Sequence, residues 1–494
     1  MSGYLHTVDI AILFLYAAVL LGMGVYYFRK SKTSTQFMVA DRTIPAWAAG
    51  LAVMSAYTSS VSYIATPGKA FDDNWHPLIF ALTIPPITFV VTRYIIPYYR
   101  KMKMISVYEF LEERLGAYGR IYAAFSFILF MVGRIAIILY LSSLLLNFFL
   151  PWNIAGIIVF IGIITIIYTM LGGMEAVIWT DVMQSAIMII GILFCAGALT
   201  VAVFSKPDFL IQNAFDANKF SLGSADFSFT SRTLWVMIIY GVTENLRNLI
   251  ADQNYVQKYA SVGTEAEAKR SVWIAMLIYI PLTAVFLYIG TTLFAYYSPG
   301  GALLSPDVIK GDQVFPFYIA TQLPIGLKGL IIAAILAAAM STVDSALNCS
   351  ATVLLLDFYK RYVKADISEK KSLYILRGAS VVWGVLGIFF AILMIKAHSA
   401  LDVWWEISGI FGGGILGLFL LALFRTKIKV WQGIVAIVVS VLVITWGTFA
   451  RNLPASLSWA ECHIDAILMG ALGTAAMMIV ALAFHFFNKA TQTR

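Results

Sequence analysis

Long apolar stretches, separated by short polar ones, extend along almost the whole chain. About 20 apolar residues wound as a helix cross the hydrocarbon core of a bilayer. The pattern predicts thirteen such helices, at residues 10–28, 44–66, 77–98, 121–150, 154–171, 176–204, 234–252, 272–297, 326–355, 373–395, 404–424, 431–449 and 464–487. Composition supports this prediction, because 61% of the 494 residues are hydrophobic and only 12% are charged. A water-soluble globule is excluded, and we expect an all-α polytopic membrane protein.

The distribution of basic residues predicts how the chain lies in the membrane. The first span lacks the basic n-region of a cleavable signal peptide and is followed by the basic run 29–32. With its N-terminus outside, alternate threading places about 23 of the 34 Lys and Arg residues on the inner side, as the positive-inside rule requires. We therefore expect a multi-pass membrane protein with its N-terminus outside and its C-terminus in the cytoplasm. The net charge of +8 is a topology signal and does not imply nucleic acid.

The ninth span, residues 326–355, has a polar centre. Ser341, Asp344 and Ser345 stand at i, i+3 and i+4 and share one helix face, with Thr342 beside them. Buried hydroxyls can simply bond back to the carbonyl four residues earlier. Asp344 favours a functional interpretation, because a charged side chain at membrane depth costs at least about 2.5 kcal/mol. Oxygen ligands of this kind suit a small, hard cation.

The second span changes from apolar to rich in hydroxyls halfway across the membrane, within residues 47–63. Such a segment can be an ordinary packing face of small residues. It can also be a discontinuous helix, in which carbonyls of residues 55–58 coordinate a cation. The half-helix beginning near Ser59 and Ser60 would then offer amide groups to a solute. We expect the helix to end at residues 67–68, a Pro-Gly pair.

The seventh span is also polar at mid-depth, from Gly241 to Asn248, and it lies five spans after the second. Two interrupted helices in corresponding places of two five-span halves indicate an inverted-repeat transporter with its site at the midplane. Asn245 is a candidate substrate contact at this second interruption. We predict one membrane transporter domain with four parts: an extra N-terminal helix and loop, a first inverted repeat, a second inverted repeat, and two additional C-terminal helices with a tail, at 1–43, 44–204, 205–424 and 425–494.

Arg134 lies near the bilayer centre of the fourth span, with about ten residues of apolar helix on each side, too far from either interface to snorkel. The guanidinium needs an anion. One candidate is an intramembrane acid such as Glu244, in a structural salt bridge. The other is the carboxylate of a solute, whose geometry matches the planar guanidinium.

Asp181 follows a glycine turn at residues 172–173, in the second turn of the sixth span. It can be a solvated acid near a helix N-terminus, where the macrodipole favours a negative charge. It can equally complete an oxygen cage with Ser341 and Ser345. The sequence leaves both interpretations open.

Three motifs carry a resemblance to a known family. They are GGMEAVIWTD at 172–181, LPIGLKGL at 323–330, and AAAMST at 337–342 followed by Leu347 and Asn348. Together they resemble the sodium/solute symporter family over nearly the whole chain. Within that family, WAAG at 47–50, YYRK at 98–101 and VGRIAI at 132–137 look most like the bacterial sialic acid transporter branch.

The resemblance implies a LeuT-type fold of ten core helices, here within thirteen transmembrane helices with a 5+5 inverted repeat, and one or two co-transported Na⁺ ions. It places the general sodium site at the carbonyls of Ser55, Thr58 and Ala338 and the hydroxyls of Ser341 and Thr342. The second sodium site would comprise Asp181, Ser341, Asp344 and Ser345. The resemblance places substrate contacts at Tyr57, Ser59, Ser62 and Arg134. The polar residues of the two interrupted spans add Ser60 and Asn245 as candidate contacts.

Three positions depart from that pattern. Asp344 stands where a serine is expected in the second sodium site, and Ala81 stands where the branch has a glutamine facing the substrate. Glu244 is unexpected beside the seventh-span interruption. The first change adds a negative charge to an ion site, while the other two affect which solute is bound.

We therefore expect a sodium-coupled symporter of an anionic, carboxylate-bearing small molecule. Sialic acid (N-acetylneuraminate) is the first candidate, and another sugar, sugar acid or monocarboxylate is the second. A membrane solute sensor is an alternative of a different class, but we expect it to carry a cytoplasmic signalling region. An intramembrane enzyme is disfavoured, because the sequence has no metal-ligand His pair or Ser-Lys dyad. We expect the lipid bilayer, sodium and the solute as partners, with no obligate protein partner.

Overall fold

The computed structural model describes residues 5–30, 32–102, 104–150, 152–205, 209–299, 301–306, 308, 310–396, 400–424, 428–451 and 455–492. Its described residues form helices and loops without strands. The helices are α1 (Thr7–Lys30), α2 (Ser34–Val39), α3 (Ala46–Tyr57), α4 (Ser60–Asp72), α5 (Leu78–Leu82), α6 (Ile84–Val90), α7 (Ile96–Met102), α8 (Glu109–Leu115), α9 (Ala117–Asn147), α10 (Ile154–Phe204), α11 (Phe209–Asp216), α12 (Leu234–Ala251), α13 (Gln253–Ala260), α14 (Glu265–Tyr297), α15 (Gly311–Gln322), α16 (Leu327–Val353), α17 (Glu369–Leu393), α18 (Ala400–Leu423), α19 (Val430–Phe449) and α20 (Met469–Gln492).

Each predicted span overlaps one or more of these helices. Among the described residues, nine helical stretches are long and apolar enough to cross a membrane, and three shorter apolar helices accompany them. The all-helical, multi-pass architecture is thereby confirmed. The count of thirteen crossings stays a prediction.

The second span is discontinuous, at the position that its hydroxyls indicated. Helix α3 ends at Tyr57, and Thr58 is extended (φ −106°, ψ 110°). Ser59 then caps α4, because its side chain accepts a hydrogen bond from the Val61 amide at 3.2 Å. The break therefore exposes the last carbonyls of α3 and the first amides of α4 at the same depth.

The expectation that this helix ends at residues 67–68 is wrong, since α4 continues to Asp72 with Pro67 inside it. Close packing supports the extra turn. A Cβ at Gly290 of α14 would lie 2.1 Å from the Pro67 carbonyl oxygen, and one at Gly68 would lie 2.8 Å from the backbone of α15. Neighbouring glycines thus let α4 lie against both helices despite the hydrogen bond that proline removes.

The seventh span is also broken, but not within residues 241–248, where the sequence pattern placed the interruption. That stretch is regular helix inside α12, and the break lies at Asp252 (φ −99°, ψ 113°). The Asp252 side chain caps the following helix, α13, by accepting from the Asn254 amide at 2.9 Å. The polar residues at mid-depth mark a face of α12 rather than its end, and the span extends to Ala260.

Three tyrosine hydroxyls satisfy the carbonyls that this second break leaves without helical partners. Tyr259 donates to Leu249 at 3.0 Å, Tyr99 to Ile250 at 2.7 Å, and Tyr108 to Ala251 at 3.2 Å. Among them, Tyr99 lies in α7, Tyr108 precedes α8, and Tyr259 lies in α13. The end of α12 is therefore fastened to three separate parts of the protein.

Helix α10 contains the predicted fifth and sixth spans, which meet at a sharp turn. Gly173 adopts φ 63° and ψ −162°, a conformation that side chains disfavour. A Cβ there would also lie 2.8 Å from the Cα of Phe37. The turn brings residues on either side of Gly173 together beside α16, which is the most buried of the long helices.

Candidate transport site

A cavity of about 650 Å³ lies beside the two helix breaks. It takes its walls from the breaks themselves, from α9, from the polar face of α12 and from α18. The lining residues are Tyr57, Ser59, Val61, Ser62, Phe80, Phe130, Arg134, Ile137, Ile138, Tyr240, Glu244, Arg247, Asn248, Tyr255 and Ser408. We call it the central cavity.

A second cavity, the vestibule, adjoins it on the side where α4 ends. Four residues line both spaces: Val61, Ser62, Phe80 and Tyr240. The vestibule also has Lys69, His76 and Arg232 in its walls, at the end of the molecule that carries residues 209–233. At the opposite end, the Tyr255 hydroxyl of α13 donates to the Ala56 carbonyl of α3 at 3.1 Å and helps to close the floor.

Arg134 lines the central cavity from α9. Its Nη2 donates to the Ala56 carbonyl at 2.6 Å, two residues before the break. Glu244, which the sequence offered as a salt-bridge partner of Arg134, accepts from Arg247, at 2.8 Å from Nη2 and 3.1 Å from Nε. The Arg134 guanidinium therefore lies in the cavity wall, where it contacts the Ala56 carbonyl.

Arg247 is the second guanidinium of the cavity, and its charge is balanced by carboxylates. Besides Glu244, its Nη1 lies 3.4 Å from Asp252, and its Nη2 donates to Asn248 at 3.0 Å. Its Cζ lies 4.6 Å from the ring centroid of Phe130, within cation–π range. Arg247 was not among the predicted site residues, because the polar residues 241–248 were interpreted as a helix break.

Of the expected substrate contacts, Tyr57, Ser59, Ser62 and Arg134 line the central cavity. Asn245 and Ser60 do not. Asn245 donates to the Phe80 carbonyl and the Thr83 hydroxyl, both at 3.0 Å, and so it joins α12 to the α5–α6 link.

Ser60 is fully buried within the packing of α4, since the capping geometry turns Ser59 and Ser62 toward the cavity. One turn away from Asn245, Asn248 takes the cavity position that was expected for Asn245.

Among the residues expected in the general sodium site, one contact joins α3 to α16, between Ser55 and Ser341. The Ser55 hydroxyl at the end of α3 donates to the Ser341 hydroxyl of α16 at 2.6 Å. Thr342 and Ser341 both contact the Ala338 carbonyl, at 3.0 Å and 3.3 Å. These side chains are fully buried, as is Thr58. An all-oxygen set drawn from a helix break and a facing helix suits a sodium ion.

The second expected sodium set is arranged differently, because a lysine enters it. Lys258 of α13 places its Nζ 2.9 Å from Asp181 Oδ2, and neither side chain is exposed to solvent. Asp344 accepts from the Tyr168 hydroxyl at 2.9 Å and from Ser345 at 3.3 Å. The predicted seventh span ends at Asp252 and so leaves Lys258 outside the predicted spans. The Asp-Gln pair that opens α13 was the signal that the helix resumes.

His76 lies in the wall of the vestibule, in the loop between α4 and α5. Burial and the positive charges of Lys69 and Arg232 lower its pKa to about 4, although Asp73 acts in the opposite direction. The imidazole is neutral at pH 7. Because unfolding restores the ordinary value of 6.5, the folded protein loses stability as the pH falls from 6.5 through 4.

We predict that His76→Gln removes part of this acid-dependent loss. Thermal unfolding of the wild type and the variant, measured between pH 8 and pH 4, tests the prediction. The unfolding temperature of the wild type should fall more steeply than that of the variant below about pH 6.5. Parallel curves would show that His76 makes no contribution.

The chain is similar to known proteins in both sequence and fold. The profile of the sodium:solute symporter family matches residues 37–452. The sodium/sialic acid symporter NanT of Aliivibrio fischeri is 33% identical over 486 residues, covering 96% of this chain and 92% of that protein. A solved substrate-bound, outward-open Na⁺-coupled sialic acid symporter superposes with a TM-score of 0.90 at 30% identity, covering 98% of both chains.

A more distant likeness bears on the fold alone. The nucleobase–cation symporter Mhp1 superposes with a TM-score of 0.56 at 15% identity, over 93% of this chain and 96% of that one. The expected LeuT-type fold is thereby confirmed. Because the family profile spans most of the sequence, the chain belongs to the sodium:solute symporter family.

Proposed function

We propose that this protein imports a carboxylate-bearing solute together with sodium by alternating access, with sialic acid (N-acetylneuraminate) as the first candidate. The position of Arg134 is the observation that supports this most strongly. Its guanidinium lies in the cavity wall within hydrogen-bond reach of the α3 terminus, and a carboxylate matches its planar fork. The relatives that are named sodium/sialic acid symporters support the same substrate.

The rest of the cavity suits a solute that carries hydroxyl or amide groups besides its carboxylate. Ser59 and Ser62 offer hydroxyls, Asn248 offers an amide, and the Glu244 carboxylate can accept from a sugar hydroxyl. Tyr57 contributes an aromatic wall, with its ring 4.6 Å from that of Tyr255. A sugar acid uses these groups more fully than a small monocarboxylate does, and this places the monocarboxylate second.

Coupling follows from sharing one helix break between ion and solute. Ser55 and Thr58 lie on the sodium side of the break, and Tyr57 and Ser59 lie on the cavity side. An ion that orders this segment stabilises the conformation that binds the solute, and the reverse holds by linkage. Each sodium entering at about 100 mV supplies roughly 2.3 kcal/mol from the membrane potential alone.

We assign the general sodium site to the carbonyls of Ser55, Thr58 and Ala338 with the hydroxyls of Ser341 and Thr342. The proposed topology keeps the N-terminus outside and the C-terminus in the cytoplasm, so that the vestibule faces outward. The repeats are proposed at 44–204 and 205–424, and the first membrane span of each is its broken helix. Residues 1–43 and 425–494 are proposed to flank them.

Uptake into proteoliposomes tests the proposal. An inward sodium gradient should drive accumulation of labelled N-acetylneuraminate, and replacing external sodium with choline should reduce it to the level of protein-free liposomes. A panel of sugar acids and monocarboxylates, used as competitors, identifies the preferred solute. Equal uptake in choline would contradict sodium coupling.

The general sodium site gives a sharper prediction. Thr342→Val keeps the shape of the side chain but removes its hydroxyl, and we expect the sodium concentration for half-maximal uptake to rise about 10-fold or more. Thr165→Val is the matched control, because Thr165 is equally buried and bonds back to Ile161 in α10. Similar sodium dependence in both variants would remove Thr342 from the ion site.

A further inference from the structure

Lys258 is paired with Asp181, the carboxylate at which a second sodium ion was expected. Its Nζ lies 2.9 Å from Asp181 Oδ2 and 3.0 Å from the Ala52 carbonyl oxygen. Lys258 and Asp181 are both completely buried. A sodium ion bound to this carboxylate would lie close to the ammonium in a medium of low polarity, where like charges repel strongly. Asp181 Oδ2 is therefore matched by an internal cation, while Oδ1 of the same carboxylate is buried without a hydrogen-bond partner.

Asp344 restores the negative charge that Lys258 cancels. It is completely buried on α16 and lies within electrostatic range of both Asp181 and Lys258. The pocket thus holds two carboxylates and one ammonium, which leaves one negative charge. An isolated charge at this depth is costly unless it is neutralised, and a cation bound beside Asp344 would neutralise it.

The neighbours of Asp344 present oxygen atoms from both sides of the turn at Gly173. The Tyr168 hydroxyl lies 2.9 Å from Asp344 Oδ2 and 3.2 Å from the Met340 carbonyl oxygen. The Thr180 hydroxyl lies 3.5 Å from the same carboxylate oxygen. The turn in α10 therefore brings two hydroxyls against the carboxylate, and α16 adds a carbonyl.

A buried amide oxygen is available beside this group. Gln184 lies one turn after Thr180 on the same face of α10, and its Oε1 is buried without a hydrogen-bond partner. Its nitrogen donates to the Tyr16 hydroxyl of α1 at 3.1 Å. Tyr16 in turn donates to the Met340 sulfur at 3.7 Å, so the amide is linked through Tyr16 to the residue whose carbonyl contacts Tyr168.

We propose that the second sodium ion binds at Asp344, among Tyr168, Thr180, Gln184 and the Met340 carbonyl, and not at Asp181. The oxygen-only donor set suits a hard monovalent cation. Helix α1 forms part of the wall through Tyr16. This inference rests on the proposed sodium-coupled function, and it deepens that function by moving the ion to a different carboxylate.

Equilibrium binding of ²²Na⁺ to purified protein, without solute, counts the ions directly. The wild type should bind two sodium ions per chain, and Asp344→Asn should bind one. The double variant Asp181→Asn/Lys258→Met removes a positive and a negative charge together, so it should keep two ions. Loss of one ion in the double variant, with two retained in Asp344→Asn, would return the site to Asp181.

Two further variants test the proposed ligands even if Asp344→Asn does not fold. Gln184→Leu and Tyr168→Phe should each weaken the second ion about 10-fold or more while leaving the first unchanged. Tyr63→Phe is the control, because the Tyr63 hydroxyl is also buried and also bonds to α10, at the Met188 carbonyl. Unchanged affinity in both variants would overturn the proposed ligand set.

Uptake and ion counting distinguish a failure of the proposed function from a failure of the second sodium site. Sodium-independent uptake by the wild type would defeat the proposed function. Sodium-driven uptake combined with a single bound ion in the wild type would leave the function intact and overturn the second site. Measured ²²Na⁺ to solute flux ratios of two in the wild type and one in Asp344→Asn would support it during transport.

Discussion

Arg134→Gln should weaken solute binding by about 100-fold or more while the protein still folds. Truncating one partner of a buried, hydrogen-bonded charge pair costs about 2–5 kcal/mol, and each 1.4 kcal/mol is a factor of ten. Glutamine can still donate one hydrogen bond to the Ala56 carbonyl, so the end of α3 keeps part of its support. Isothermal titration with N-acetylneuraminate in saturating sodium measures the loss.

Arg134→Lys separates charge from geometry. It keeps the positive charge but loses the bidentate fork, and we expect an affinity between those of the wild type and the glutamine variant. Stabilisation by sodium alone, followed as a shift in unfolding temperature, should persist in both variants and shows that the fold is intact. Wild-type affinity in Arg134→Gln would remove the carboxylate from the proposed function.

Arg247→Met should destabilise the protein by about 3–5 kcal/mol, because it removes the guanidinium that bridges the buried carboxylates of Glu244 and Asp252. The loss should appear as a lower unfolding temperature in detergent and as poor recovery of folded protein. Glu244→Gln should be milder, since Arg247 keeps Asp252. Both substitutions also change the cavity wall, so transport falls in each case.

The double variant Glu244→Gln/Arg247→Met tests whether charge balance is the cause. It removes one charge of each sign, and we expect it to recover part of the stability that Arg247→Met loses. Arg247→Lys is the conservative control, which retains the charge beside Asp252. If Arg247→Met unfolds at the wild-type temperature, the buried pairing of these residues contributes nothing to stability.

The sequence predicted the first helix break because its chemistry is local. Hydroxyl side chains at Ser55, Thr58 and Ser59 compete for backbone hydrogen bonds, and Ser59 is a good helix cap. Apolar length predicted the helices themselves equally well, since the bilayer thickness sets how many residues each requires. The turn between the fifth and sixth spans was also predicted, because a pair of glycines at residues 172–173 lies between two apolar runs.

The second break was misplaced because polarity at mid-depth has two meanings. The polar residues 241–248 are a continuous face of α12 that lines the cavity, whereas the break needs only an extended Asp252 with a capping side chain. The spacing of polar residues in the sequence does not determine which of them faces the cavity. For that reason Asn245 was chosen where Asn248 lies in the cavity.

The buried charges were the hardest feature to predict, since each depends on a partner distant in sequence. Lys258 and Asp181 are 77 residues apart, and nothing local joins them. The seventh span was predicted to end at Asp252, which left Lys258 outside the membrane spans. The pair was therefore not predicted. Asp344 and Arg134 were found because each interrupts a long apolar run on its own.

The three tyrosine caps at the end of α12 make the two discontinuous helices unequal as joints. Tyr99, Tyr108 and Tyr259 each hold one carbonyl there, and they come from three different parts of the chain. The α3–α4 link is held at Ala56 by Arg134 and Tyr255, two side chains of the central cavity. We therefore expect the first joint to be compliant and to respond to cargo, while the second stays stiff and acts as the pivot.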